Sequence, residues 1–140
     1  MRVLWREPLP SFSGKYVTFH DANCQPQPVN GSVPIIVGGH SKAAARRAGR
    51  IGDGFFPARG ASVELIELAR SSALEAGRDP SALEITTSMP DSLDELAALA
   101  ALGVARVLVP VSPMPGMTTA IADAEDALTW RQHIERYADV

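Results

Sequence analysis

Four short apolar runs, each followed by a segment with helical periodicity, constrain this chain more than any other feature. They are PIIVGG (34–39), GFFP (54–57), LEITTSM (83–89) and RVLVPV (106–111). Three of them are nearly continuous in apolar residues, the pattern of strands buried on both faces of a parallel sheet. Strands alternating with helices imply crossover connections and an α/β fold class. The expected strands lie near 33–38, 54–57, 83–88 and 105–110. Two architectures satisfy this rhythm. One is a small, open, doubly wound sheet. The other is half of an eight-stranded barrel, because a complete (β/α)8 domain takes ~250 residues and four βα units make half of it.

The helices carry their own start and stop signals. Ser41 is placed to cap a helix over 42–51, with Gly52 just past its end. Ser62 is placed to cap a second helix running to about Ala76 and followed by Gly77, with Val63, Ile66, Ala69 and Ala73 as its inner stripe. In the third, Ser92 stands three residues before Glu95, a capping-box spacing that can satisfy two backbone donors. Leu93, Leu96, Ala97 and Ala100 form its expected core face, and Gly103 its stop. The last helix is expected within 118–138, using Ile121, Leu128, Ile134 and Tyr137. Residues 1–32 differ in character. They are rich in Pro, Asn and Gln and carry one strand-like stretch, GKYVTFH, and they read as a helix end, an extended loop and a hairpin. The organisation is therefore one domain over 1–140, with a loop or insertion region at 1–32 and four βα units at 33–140.

Composition narrows the function. With 140 residues and 46% hydrophobic content the chain can bury a core. A formal net charge of −3 argues against a nucleic-acid partner, which needs a basic face. Arg46, Arg47 and Arg50 cluster on one predicted helix and read as a solvated face or an anion rim. No apolar stretch approaches the ~20 residues that span a membrane. One cysteine, Cys24, permits no intrachain disulfide, which suits a reducing cytoplasm.

The glycine pair Gly38–Gly39 stands where a strand hands over to a helix. Without Cβ atoms these residues let a ligand approach the backbone. The first amides of the helix have no intrahelical acceptor, and with the helix dipole they favour phosphate. A tight turn that needs glycine for its geometry alone would look the same, and spacing does not choose between them. The run is neither a Walker A loop nor GxGxxG. The second run places Arg59 and Gly60 just past its strand, on the same C-terminal rim where parallel α/β folds hold ligands. Arg59 could grip a phosphate with a bidentate fork, or be an ordinary surface arginine. Asp53 reads as a turn or cap residue. His20, His40 and His133 lack metal-ligand spacing, and neither HExxH nor CxxC occurs, so no metal is expected. Met114 and Met117 lie in the loop after the fourth strand, as a lid or as flexible packing. No paired acid and base and no Ser-His-Asp set stand out, so no catalytic residue is assigned.

Taken in order, Trp5, Phe12, Gly14, Tyr16 and Phe19, the Pro26–Pro28 loop, PIIVGG, the alanine/arginine helix with Arg46 and Arg50, and GDGF (52–55) resemble the C-terminal half of the luciferase-like monooxygenase family. The likeness is greatest to its deazaflavin-dependent oxidoreductases. EAGRDPSALEIT and LGVARVLVP fit the two later strands. The resemblance implies an eight-stranded TIM barrel that binds FMN or coenzyme F-420 at its C-terminal rim, with the four strands here as the fifth to eighth. It implies that Gly38 and Gly39 supply backbone amides to the cofactor phosphate and that Arg59 and Gly60 lie at that contact. It also implies that the first four βα units, which carry most residues around the flavin ring and substrate, are absent. A gene fragment, a misplaced start or a split protein would each leave this pattern.

The expected function is thus a luciferase-like flavin- or F-420-dependent oxidoreductase, represented by its cofactor-phosphate half and inactive alone. Its expected partners are a flavin-type cofactor and a small-molecule substrate, with either self-association or a missing N-terminal half completing the barrel. The alternatives are a non-catalytic half-barrel that binds a phosphorylated ligand or a partner half-barrel, and an inert truncated product.

Overall fold

The computed structural model describes residues 1–90, 92–108, 123–129 and 131. They divide into two compact units, residues 1–35 and residues 36–140.

The first unit opens with the short helix α1 (Arg2–Arg6). The two-residue strands β1 (Phe12–Ser13) and β2 (Thr18–Phe19) follow and pair antiparallel, Phe12 opposite Phe19. The rings of that pair lie 5.9 Å apart, and the Gly14 amide donates to the Val17 carbonyl across the turn. The helix end and hairpin expected for 1–32 are both present. The Pro-rich remainder is irregular, with a turn in which the Gly31 amide donates to the Pro28 carbonyl at 2.8 Å and a cis peptide bond between Gln25 and Pro26.

The second unit is a four-stranded sheet, β3 (Ile36–Gly38), β4 (Gly54–Phe56), β5 (Glu84–Ser88) and β6 (Arg106–Leu108), in that spatial order. Every pairing is parallel, as expected of four βα units. The register sets Ile36 beside Gly54, Gly54 beside Glu84, and Thr86 beside Arg106. The expected fourth strand extends to Pro110, and its last two residues lie outside the described ones.

Helices α2 (Lys42–Ile51) and α3 (Val63–Glu75) cover one face of this sheet. Their Ala44, Ala45, Ala48, Leu65, Ile66 and Ala69 pack with Phe55 and Ile85 into a single buried cluster. α2 is an alanine helix for a steric reason. At Gly49 a Cβ atom would stand 2.1 Å from the Ala69 carbonyl oxygen and 2.8 Å from the Ala73 nitrogen. Only small residues on this face let two helix backbones approach so closely.

Two predicted stripes need correction. On α3 the buried residues are Leu65, Ile66, Ala69, Ser72 and Ala73, while Val63 is 50% exposed. Val63 is the first helical residue, at the exposed start of the helix. The capping box around Ser92 forms differently. The Ser92 hydroxyl accepts from the Asp94 amide and its carbonyl from the Glu95 amide, so Leu93–Glu95 is one 3-10 turn and α4 runs only Leu96–Ala101. That turn shifts the phase of the helix. Ala97 and Ala100 are exposed, and Leu96, Leu99 and Leu102 form the half-buried side. Leu93 of the expected face has its side chain outside the description. The last helix, α5 (Ala124–Thr129), falls within the expected span with Leu128 exposed, and Ile121, Ile134 and Tyr137 lie outside the described residues.

Candidate functional site

The register of β3 and β4 brings the two glycine-containing junctions level. Gly38 lies opposite Phe56, and the Gly39 amide donates to the Phe56 carbonyl at 3.1 Å. Both strands therefore end at one rim, and α2 and α3 both begin there. Ser41 caps α2, its hydroxyl accepting from the Ala44 amide at 3.2 Å, and Ser62 caps α3 through the Leu65 amide at 3.4 Å. Each cap satisfies one orphan donor of the first turn. In α2 the Ala45 amide is taken by the Ser41 carbonyl, which leaves the Lys42 and Ala43 amides without an intrahelical acceptor.

The two glycines differ. Gly39 has φ +135°, and a Cβ there would come within 2.9 Å of the Ala44 methyl group. Its identity is fixed by the turn. At Gly38 a Cβ would meet nothing within 4 Å, and the backbone is in a region open to any residue. Neither packing nor conformation asks for glycine at 38. The space beside it is open at the rim.

Arg59 is exposed and makes no hydrogen bond or ion pair among the described residues, while Gly60 after it adopts φ +91° with open space around it. Lys42 and Glu64 join the two helix starts by an ion pair of 2.8 Å. The hydrogen bond from Lys42, and then its charge, hold the Glu64 carboxyl below the usual carboxylate range. His40 is exposed beside the glycine pair, and Arg46, Arg47 and Arg50 are exposed along α2. His133, Met114 and Met117 lie outside the described residues.

Arg78 has a role that sequence reasoning missed. Its guanidinium donates to the carbonyls of Gly49 and Gly52 and so closes the C-terminal end of α2. Arg70 does the same for α4, donating to the Leu102 and Gly103 carbonyls at 3.1 and 3.4 Å. Both contacts join residues far apart in the chain, Arg78 to Gly49 across 29 positions and Arg70 to Leu102 across 32, so sequence offered no local signal for them. Cations near a helix C-terminus offset its dipole.

The first two strands of the parallel sheet thus end at glycine-containing junctions on one rim, beside two capped helix starts. The chain belongs to the luciferase-like monooxygenase family, whose model matches residues 1–138. It is 30% identical to an F420-dependent glucose-6-phosphate dehydrogenase of Rhodococcus erythropolis, over 98% of this chain and 43% of that protein. The chain thus spans less than half the length of the curated relatives that match nearly all of it. Among solved structures, an F420-dependent secondary alcohol dehydrogenase superposes with a TM-score of 0.53 and 22% identity, over 95% of this chain and 41% of the other. A monooxygenase from Streptomyces bottropensis superposes with a TM-score of 0.52 and 23% identity, over 73% of this chain and 34% of the other. These likenesses establish the fold as four βα units of the TIM-barrel type.

Proposed function

We propose that this chain is the cofactor-phosphate part of a luciferase-like oxidoreductase that uses coenzyme F-420. The observation that carries the reading is the open space at Gly38 beside the start of α2, where the Ser41 cap leaves the Lys42 and Ala43 amides without an intrahelical acceptor. A phosphate seated there would lie against the Gly38–Gly39 backbone and accept from the Lys42 and Ala43 amides. Arg59, with no other partner among the described residues, would add a charged hydrogen bond from the next junction, and Gly60 keeps that turn small. The Gly39 amide already serves the sheet, so Gly39 contributes by its turn and its missing side chain. Coenzyme F-420 is favoured over FMN because the curated relatives are F420-dependent by name. When bound, a deazaflavin ring supplies hydride transfer, and the protein's part is to fix its position. This chain holds the phosphate end, and the groups around ring and substrate belong to the other four βα units of a complete barrel. Cys24 stands without a cysteine partner in the sequence, in keeping with a reducing cytoplasm.

The test is a fluorescence titration of coenzyme F-420 and of FMN against the chain, alone and supplemented with the first four βα units of a curated relative. The reading expects F-420 to bind more tightly than FMN, and more tightly still in the supplemented sample. Binding of neither cofactor in either sample would contradict it.

A further inference from the structure

Helix α2 carries a charge imbalance that its packing does not use. Its sequence, KAAARRAGRI, holds four cations and no acidic residue, in a chain whose formal net charge is −3. Lys42 is engaged by Glu64. Arg46, Arg47 and Arg50 are exposed and form no hydrogen bond or ion pair among the described residues. The three are not equivalent in position. Ala44, Ala45 and Ala48 belong to the core, and one flank of α2 is taken by α3, which Gly49 meets and to which Lys42 reaches. By helical geometry Arg47 falls on the opposite flank, toward any preceding βα unit of a barrel. Arg46 and Arg50 follow Lys42 at spacings of four and so form a row with it along the outer side. That row starts at the rim, beside the Lys42 and Ala43 amides. Arg46 and Arg50 stand about 6 Å and about 12 Å further along the axis, and helix side chains lean back toward the N-terminus.

We infer that Arg46 and Arg50 hold the anionic tail of the cofactor, an inference that rests on the F-420 reading above. In coenzyme F-420 the phosphate is a diester, and the molecule continues past it into a chain of linked glutamates. In FMN the phosphate is terminal. Ligands of barrel enzymes sit over the C-terminal mouth, so a phosphate held at the rim sends whatever follows it outward, over the start of α2. Carboxylates leaving that point and running along the outer side meet one guanidinium per helical turn. The planar guanidinium fork matches a carboxylate, and it carries its charge at every working pH. The phosphate itself is served by backbone amides and Arg59 and needs neither Arg46 nor Arg50. Each exposed pair is weak alone, so the preference comes from several carboxylates acting together.

The test titrates F-420 carrying several glutamates, and its tail-free form, against the chain supplemented with the first four βα units of a curated relative. Wild type is compared with the double variant Arg46→Ala/Arg50→Ala. Both positions are exposed and alanine is the better helix former, so the variant should keep its helical circular dichroism. Wild type is expected to bind the tailed form about tenfold more tightly than the tail-free form at low salt, and the variant about twofold or less. Salt at about 0.5 M should erase most of the wild-type preference. Equal binding of the two forms by wild type, or a preference unchanged in the variant, would overturn the inference and leave the phosphate reading standing. Binding of neither form would overturn both. Weaker association of the variant with the added βα units in the absence of cofactor would assign the arginines to that half of the barrel, and would overturn the inference as well.

Discussion

Gly49→Ala is the substitution that most sharply probes the packing of α2 on α3. The added methyl group would lie 2.1 Å from the Ala69 carbonyl oxygen, 2.8 Å from the Ala73 nitrogen and 2.9 Å from the Ser72 Cβ. Two of these are backbone atoms of the facing helix, so no side-chain rotation relieves the contact. The helices must separate by more than an ångström, which loosens the cluster around Ala45, Ala48, Ile66 and Ala69, all of them fully buried. Overpacking of this kind costs about 1–3 kcal/mol, and a rigid backbone neighbour places it at the upper end. Alanine offsets about 1 kcal/mol of that through its better helix propensity. The expected loss is therefore about 2 kcal/mol. With a urea dependence of about 1–3 kcal/mol per molar for small proteins, the midpoint should fall by about 1 M. Gly38→Ala is the matched control. It adds the same methyl group in open space and should shift the midpoint by less than about 0.3 M. A Gly49→Ala protein as stable as wild type would refute the close approach of the two helices.

Arg78→Ala removes both guanidinium bonds to the end of α2, and thermal melts should report a loss of about 1.5–3 kcal/mol, with Arg78→Lys recovering part of it. Ser41→Ala leaves the Ala44 amide uncapped and should cost about 1 kcal/mol in the same melts. The Glu64 carboxyl is depressed in the folded state, so the Lys42 pair stabilises fully above the ordinary glutamate range and its contribution is lost as pH falls through the lowered value. Glu64→Gln should flatten that part of the acid melting curve and leave the neutral region nearly unchanged, because the pair is exposed.

The sheet was legible because buried parallel strands announce themselves as short apolar runs, and capped helices announce themselves through serine and glycine. All four runs became parallel strands, and the Ser41 and Ser62 caps formed where their positions indicate. Phase within the short helices was less legible. One 3-10 turn at Leu93–Glu95 moved the buried side of α4, a shift that goes with two hydrogen bonds to Ser92, from the Asp94 amide to its hydroxyl and from the Glu95 amide to its carbonyl. The order of motifs from Trp5 to Phe55 carried the family, although no single motif would have done so. The unequal roles of Gly38 and Gly39 were hidden, because adjacent glycines look alike in sequence while one meets Ala44 and the other meets open space. The reach of Arg78 back to Gly49 spans 29 positions and has no local signature.

That inequality also selects the decisive measurement. Gly39→Val would strain a backbone at φ +135° and confuse folding with binding, whereas Gly38→Val adds a Cβ where nothing lies within 4 Å, beside the place assigned to the phosphate. Coenzyme F-420 affinity should be measured for wild type and Gly38→Val, each supplemented with the first four βα units of a curated relative and each with its urea midpoint. The account predicts an unchanged midpoint and an affinity lowered by about tenfold or more, equivalent to about 1.4 kcal/mol. Equal affinities for the two proteins would contradict a phosphate seated at Gly38.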